Sequence, residues 1–123
     1  MHGLHLIADL THCRCAPHWL TDANGLLAAC TQAVRDAGLQ VVGQLSHAFA
    51  AGPQGPGGVT ATVLLAESHV CVHTWPETAS VTADVYVCNH SGDHSARAHQ
   101  VMNRLVALFD PQHAQRQSVQ RGA

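Results

Sequence analysis

The β-type region spanning residues 59–88 constrains the fold of this chain more than any other feature. Residues 59–75 form a long run of strand-forming side chains with Glu67 and Ser68 at its centre, and residues 81–88 alternate regularly between apolar and polar. We expect the long run to be bent or split near Glu67 and Ser68. The links between these strands are short, so the region predicts an antiparallel sheet.

The flanking segments complete the element order. Residues 2–10 and 39–49 read as strands, and the loop AAGPQGPGG follows the second of them. Between the two strands, Asp22 predicts the N-cap of a helix and Gly38 its end. A second helical pattern begins near Asp93, and we expect the polar tail after Pro111 to be frayed. The prediction is a single α+β domain, residues 1–123, ordered β-α-β-β-β-α, with an antiparallel sheet and both helices on one face.

Alternation assigns the strand residues to two faces. Four valines share the face that we expect the helices to cover: Val70, Val72, Val85 and Val87. Reactive side chains occupy the other face: His69, Cys71, His73, Trp75, Asp84, Tyr86 and Cys88. We also assign one shared face to alternate residues of the second strand: Val41, Leu45, His47 and Phe49. A one-sided sheet of this kind predicts a ligand or a second copy against its reactive face.

Composition excludes several classes of function. The chain has 123 residues, 8 acidic and 6 basic, for a net charge of −2, and no basic stripe that would bind nucleic acid. No leader-like start and no apolar run of bilayer length is apparent, so we expect a cytoplasmic protein without a membrane partner. The five cysteines are expected to be free thiols. The absence of lysine excludes pyridoxal phosphate held as a Schiff base.

Two kinds of chemistry receive little support from the residues. Eleven histidines and a Cys-x-Cys pair raise the possibility of a metal site, but the spacing of His12, Cys13, Cys15, His18, His90 and His94 does not match a structural zinc site, so we predict none. Hydrolysis by Ser68 with His69 or His73 lacks a G-x-S-x-G elbow, and adjacent residues of a regular strand point to opposite faces. It stays a weak alternative.

Self-cleavage between Glu67 and Ser68 is the third alternative. A serine hydroxyl can attack the preceding carbonyl to give an ester, and loss of the serine Cα proton then leads through dehydroalanine to a pyruvoyl group. Such chemistry needs a distorted peptide, a hydroxyl to hold the intermediate and a base, for which Thr60 and His73 are candidates. The competing interpretation is structural, with Ser68 marking a β-bulge and His73 being a hydrogen-bonded sheet histidine.

The run LAESHVCVHTWPE, preceded by GGVTATVLLAES and followed by ADVYVC, closely resembles the signature of the prokaryotic S-adenosylmethionine decarboxylases, a pyruvoyl-dependent family. The similarity extends from HLIADL through the last helix. It implies a proenzyme cleaved between Glu67 and Ser68 into a β chain of residues 1–67 and an α chain of residues 68–123. It further implies that Ser68 becomes the pyruvoyl cofactor and that the enzyme is a carboxy-lyase.

The resemblance also implies roles for individual residues. Thr60 matches the processing hydroxyl, His73 the base that takes the Cα proton, and Cys88 the acid that reprotonates the product. On the substrate side, Glu77 matches a contacting carboxylate and Phe49 an aromatic on which adenine stacks, although Phe49 could equally be a packing residue at the edge of the core. We expect Trp75 to contact the substrate as well.

The family's dimer is implied in the same way. Two sheets would face each other in an αββα sandwich, with active sites that draw on both subunits and with His73 and Cys88 facing inward. The expected activity is decarboxylation of S-adenosylmethionine to the aminopropyl donor for spermidine biosynthesis. Ala61 and the segment 78–80 depart from the common pattern, and the latter lies near the expected substrate pocket. Arginine or ornithine as substrate, or a non-enzymatic metal-binding homologue, are therefore retained as alternatives.

Overall fold

The computed structural model describes residues 1–122. Six strands lie within these residues, and their bounds are β1 His2–Cys13, β2 Val41–Ala48, β3 Val59–Leu65, β4 Ser68–Trp75, β5 Ser80–Cys88 and β6 Pro111–Gly122. The helices are α1 His18–Thr21, α2 Ala23–Asp36 and α3 Ser95–Phe109. Within residues 1–122 no helix is long and apolar enough to cross a membrane.

The strands form one sheet in the order β2-β3-β4-β5-β1-β6, with every neighbouring pair antiparallel. Helix α2 packs on β2 and β3, while α3 packs on β5 and β1. The predicted two-layer α+β architecture with helices on one face is confirmed. Burial alternates strictly along β5, and the four valines assigned to the covered face are at most 1% exposed. Leucines, valines and one phenylalanine from both layers close the core.

Helix boundaries follow the chemistry of the sequence. The Asp22 side chain accepts a hydrogen bond from the Gly25 N–H at 3.1 Å, as expected of an N-cap. Gly38 follows the helix in the left-handed region, with φ of 84°. In α3 one apolar stripe is completely buried and supplies the upper wall of the core: Ala98, Val101, Met102, Leu105 and Phe109.

The prediction of a frayed tail was wrong. Residues 111–122 form β6, which pairs with β1 from His2 opposite Gly122 to Cys13 opposite Pro111. Nearly all β6 side chains are exposed, so no apolar alternation marks this strand in the sequence. Its backbone hydrogen bonds to β1 hold it, and Asp110 in the left-handed region, with φ of 46°, reverses the chain after α3. The element order therefore ends in an additional strand.

One face assignment also needs correction. The register between β2 and β3 shifts between Val41 and Gly43, so Val41 pairs with Leu65 on the covered face whereas Leu45 pairs with Thr62 on the uncovered one. A bulge inserts one extra residue and reverses the alternation beyond it. The long run 59–75 is split at Ala66 and Glu67, as predicted, which makes β3 and β4 separate strands.

Candidate active site

The connection between β3 and β4 holds the backbone in an unusual conformation at the predicted cleavage position. Leu65 pairs with Ser68, so Ala66 and Glu67 alone form the turn. Glu67 has a φ of 61°, in the left-handed region that a residue with a Cβ enters at a cost of about 1–2 kcal/mol. The peptide bond that joins Glu67 to Ser68 therefore begins at a strained residue and ends at the first residue of a strand.

Ser68 and Cys88 lie together at this end of the sheet. The Ser68 hydroxyl accepts a hydrogen bond from the Cys88 backbone N–H at 2.9 Å. A cavity of about 470 Å³ adjoins the pair, and Glu67, His90 and His94 contribute to its walls. The ends of β4 and β5 thus place the serine hydroxyl beside a backbone donor, with Cys88 in the wall of the same cavity. We call these residues and their cavity the Ser68 cluster.

A second group of predicted residues forms around His73. Thr60 and His73 are direct partners across β3 and β4, and Thr60 Oγ1 lies 2.9 Å from His73 Nδ1. A cavity of about 530 Å³ lies beside them, with Phe49, Trp75 and Glu77 in its walls together with the loop after β2. We call this set the His73 cluster. A base, a hydroxyl, two partly exposed aromatic rings and a carboxylate therefore share one pocket.

Two glycines fix the loop that covers this pocket. A Cβ on Gly57 would lie 2.1 Å from the Phe49 carbonyl oxygen, and one on Gly58 would lie 2.0 Å from the Thr74 carbonyl oxygen. Both approaches are closer than any side chain permits, so only glycine lets the loop return to the sheet here. The close approach holds Phe49 beside the start of β3, where it forms part of the wall.

The two clusters lie at opposite ends of the same strand. Ser68 is the first residue of β4 and His73 follows five positions later. At a rise of about 3.3 Å per residue, this places the two residues roughly 16 Å apart. Within one copy of the chain, His73 therefore does not reach the Cα of Ser68.

A third group lies between the clusters, on the uncovered face. His5 Nε2 and His69 Nε2 each lie 3.0 Å from Asp84 Oδ2. Arg121 Nη1 lies 3.1 Å from His5 Nδ1, and because a guanidinium only donates, His5 accepts there and carries its proton on Nε2. His5 and His69 thus act as donors to the Asp84 carboxylate.

These contacts bear on the metal hypothesis. In residues 1–122, His5, His69 and Asp84 form the only group of three ligand-type residues close enough to share an ion, and none of them belongs to the Cys-x-Cys set. A metal-bound histidine normally donates its second N–H to an acceptor. His5 faces the donor Arg121 instead, which fits a hydrogen-bonded relay.

The cysteines differ in their surroundings, and all five are free thiols. Burial and the nearby Cys15 and Asp110 raise the pKa of Cys13 to about 11. Burial, with a smaller contribution from Cys71, raises the pKa of Cys30 to about 12. Both thiols stay protonated at neutral pH and are unsuited to nucleophilic work. Cys71 and Cys88, by contrast, are half-buried beside reactive groups.

Sequence reasoning located the predicted residues but missed some of their neighbours. Cys71 Sγ lies 3.4 Å from His73 Nε2, and Thr62 lies next to the same sulfur. The sequence offered one indication of this contact, because alternation along the strand places Cys71 on the same face as His73. Alternation could not predict the contact between His5 and Asp84. This contact depends on the register between β1 and β5, which lie far apart in the sequence.

Comparisons with known proteins show the family. A family model described as S-adenosylmethionine decarboxylase matches residues 4–122. The chain is similar to the S-adenosylmethionine decarboxylase proenzyme of Parasynechococcus marenigrum, with 39% identity over 95 residues, which are 77% of this chain and 66% of that protein. It is also similar to the proenzyme of that name from Aquifex aeolicus, with 37% identity over 98% of this chain and 81% of that protein.

A solved structure gives the same result for the fold. The crystal structure of the adenosylmethionine decarboxylase from Aquifex aeolicus superposes with a TM-score of 0.82 at 30% sequence identity. The superposition covers 98% of this chain and 91% of that one. The shared fold therefore includes all the strands that carry the three groups described above.

Proposed function

The chain belongs to the S-adenosylmethionine decarboxylase family, and we propose that it is a self-cleaving proenzyme that decarboxylates S-adenosylmethionine. The cofactor of this family is a pyruvoyl group made by autocatalytic cleavage at a serine. The product would be the aminopropyl donor for spermidine biosynthesis. The substrate is a small molecule of the amino-acid type. The observation that carries the proposal is the strained Glu67 joined to a serine whose hydroxyl is already oriented by a backbone donor.

Cleavage begins with residues of this chain alone. The Ser68 hydroxyl attacks the Glu67 carbonyl carbon, and transfer of the acyl group from nitrogen to oxygen relieves the left-handed turn. Removal of the Ser68 Cα proton then breaks the bond to the Glu67 carboxylate, and addition of water with loss of ammonia leaves a ketone. The fragments are residues 1–67 and residues 68–123. The Cys88 N–H and the adjoining cavity fit a small group with carbonyl oxygens, so Cys88 would hold the cofactor through its N–H.

The base for the Cα proton has to come from a second copy of the chain. His73 lies roughly 16 Å along β4 from Ser68, too far for proton transfer within one copy. We infer a two-fold dimer in which the uncovered faces meet, so that the His73 cluster of one copy adjoins the Ser68 cluster of the other. Such an isologous interface gives two identical composite sites.

The uncovered face has the character that such an interface needs. Leu45 is 75% exposed on the edge strand β2 and Leu64 is 50% exposed on β3, and both lie on the uncovered face. An apolar surface of this kind is normally covered by a partner. Apposed sheets would give the αββα sandwich, with helices on both outer layers. Assembly beyond the dimer would use other surfaces.

The two clusters have different roles in the decarboxylation reaction. A pyruvoyl group supplies a ketone that accepts electrons from the carbon losing CO₂. The Cys88 thiol donates the proton that replaces CO₂, which requires its protonated form. Phe49 and Trp75 supply aromatic surface for the adenine, and the Glu77 carboxylate binds a polar or cationic part of the substrate. Thr60 and His73 serve chiefly in cleavage.

The intact mass of the purified chain under denaturing conditions tests the proposal. We expect two fragments that join at Glu67 and Ser68, with the second lighter by one ammonia than a fragment beginning with serine. Release of CO₂ from carboxyl-labelled S-adenosylmethionine, with arginine and ornithine as parallel substrates, then tests the substrate. A single full-length mass would contradict the proenzyme assignment. Release from arginine or ornithine alone would retain the chemistry and reject the substrate.

A further inference from the structure

The thiol of Cys71 contacts the imidazole of His73, the proposed base for self-cleavage. Neither cleavage nor turnover, as proposed, assigns a role to this contact. Cys71 Sγ lies 3.4 Å from His73 Nε2, while His73 Nδ1 lies 2.9 Å from Thr60 Oγ1. Thr62 Oγ1 lies 3.4 Å from the same sulfur. Both nitrogens of the His73 ring therefore have a partner, and four side chains form one continuous line.

The pairing of β3 with β4 places these four side chains next to one another. Thr60 is the cross-strand partner of His73, and Thr62 is the partner of Cys71, in an unbroken antiparallel register of β3 and β4. All four side chains are half-buried on the uncovered face. Side chains two positions apart on a strand share a face, so the sulfur lies beside the ring because of strand geometry.

The protons along the line can be arranged in two ways. A neutral imidazole carries one proton, so one nitrogen donates and the other accepts. If Thr60 donates to Nδ1, then Nε2–H donates to sulfur, and the Thr60 proton is committed to the ring. If Cys71 donates to Nε2, then Nδ1–H donates to Thr60 Oγ1, and the threonine hydroxyl keeps its own proton for another acceptor.

Acidity favours the second arrangement. A thiol has an ordinary pKa near 8.5 and is a much stronger acid than an aliphatic hydroxyl. It is also a weak acceptor, whereas the Thr60 oxygen is a good one. The second arrangement places the stronger acid on the basic nitrogen and the ring N–H on the better acceptor. It also gives Thr60 the free proton that a group stabilising an oxyanion needs.

We propose that Cys71 is a positioning residue for self-cleavage, whose thiol fixes His73 as the Nδ1–H tautomer and frees the Thr60 hydroxyl to donate. This inference rests on the proposed function and deepens it. Thr62 completes the arrangement, because it offers the thiol an alternative acceptor when Nε2 takes up the Cα proton. Within one copy of the chain, Cys71 lines neither the cavity beside Ser68 nor the cavity beside His73.

The tautomer can be measured in a chain that does not cleave. In a Ser68→Ala precursor, nitrogen NMR of the His73 ring is expected to show a protonated Nδ1 and an unprotonated Nε2. Adding Cys71→Ala or Cys71→Val removes the donor and is expected to shift the ring toward the other tautomer. Cys71→Ser keeps a donor and is expected to retain the parental pattern. A protonated Nε2 in the precursor, or a spectrum unchanged by Cys71→Ala, would overturn the inference.

Cleavage kinetics provide the functional readout. With Ser68 intact, we expect Cys71→Ala and Cys71→Val to cleave about tenfold more slowly, as for the loss of one ordinary hydrogen bond, and Cys71→Ser within about twofold of the parent. Cys15→Ala, at a half-buried cysteine that lines neither of the two cavities, is the matched control and is expected to cleave at the parental rate.

The outcomes separate the two proposals. If the parent cleaves and Cys71→Val cleaves equally fast, the role of Cys71 is wrong and the proenzyme assignment stands. Slow cleavage confined to Cys71→Ala would indicate a packing defect and would also overturn the role. If the parent does not cleave at all, the proposed function fails, and the tautomer spectrum alone decides the inference about Cys71.

Discussion

The two faces of the central sheet are built from the same strands but have opposite characters. On the covered face, Val70, Val72 and Val85 are at most 1% exposed and pack against the helices. On the uncovered face, His69, Cys71 and His73 alternate with them and make hydrogen bonds instead, His69 with Asp84 and Cys71 with His73. Burying one such aliphatic side chain contributes about 1.5–3 kcal/mol, whereas a hydrogen bond contributes about 1 kcal/mol.

Alternation thus places the residues that stabilise the fold and the residues that carry the chemistry on opposite faces of the same strands. A substitution on the covered face should lower the free energy of unfolding and leave cleavage intact. A substitution on the uncovered face or at the strand ends should do the reverse.

Ser68→Ala removes the nucleophile and is expected to abolish cleavage and decarboxylation completely. The unfolding midpoint should change little, because the substitution removes one hydrogen bond, that with the Cys88 N–H. Intact mass and thermal unfolding measure the two effects. Ser91→Ala, in the wall of the same cavity, is the matched control and should cleave normally. Two fragments from Ser68→Ala would remove the serine mechanism.

Cys88→Ala separates cleavage from turnover. The N–H that orients Ser68 belongs to the backbone and survives the substitution, so we expect two fragments of the parental masses. Loss of the proton donor should reduce kcat about 100-fold, the lower end of the usual contribution of acid–base catalysis. Steady-state assay of the cleaved variant measures this effect. A parental kcat would refute the role of the Cys88 thiol.

Thr74→Val tests the covered face. Thr74 is 5% exposed, and its hydroxyl accepts from the Val59 N–H at 2.8 Å and donates to the Leu20 carbonyl at 2.7 Å. The substitution leaves both groups buried without a partner, so we expect the free energy of unfolding to fall by about 2–3 kcal/mol. Urea denaturation measures it, with exposed Thr11→Val as control. Lost cleavage in a folded Thr74→Val chain would break the separation of the faces.

A charge pair on the outer helices provides the smallest effect. Hydrogen bonds from Arg104 and then Gln32 lower the pKa of Asp36. A carboxyl group whose pKa is lowered in the folded state stabilises the fold at pH values above its ordinary pKa of 3.8. This stabilisation is lost as the pH falls through the lowered pKa of the folded state. We therefore expect Asp36→Asn to lower the unfolding midpoint slightly at pH 6 and less at pH 3. An equal deficit at both pH values would refute this linkage.

Much of this molecule could be predicted from its sequence because local patterns determine it. The Asp22 cap, the apolar stripe of α3 and the split near Ser68 each depend on residues close together in the chain. Strand β6 could not be predicted, because its exposed side chains carry no pattern and its pairing with β1 is made by backbone atoms.

The candidate site shows the same limit. The signature motif located Ser68 and His73, but their separation became apparent only from the regular geometry of β4. Likewise, the bulge that places Val41 on the covered face depends on how β2 pairs with β3. Properties that depend on pairing between distant segments are the ones that local sequence reasoning misses.

Complementation between two inactive chains tests the composite site most directly. Ser68→Ala lacks the nucleophile and His73→Ala lacks the base, so each chain purified alone is expected to remain intact. When the two are co-expressed, a mixed dimer holds one complete site, formed by Ser68 of the His73→Ala chain and His73 of the other. Intact mass should then show fragments of the His73→Ala chain only. If both chains stay full-length in isolated mixed dimers, the account of a site shared between two copies is wrong.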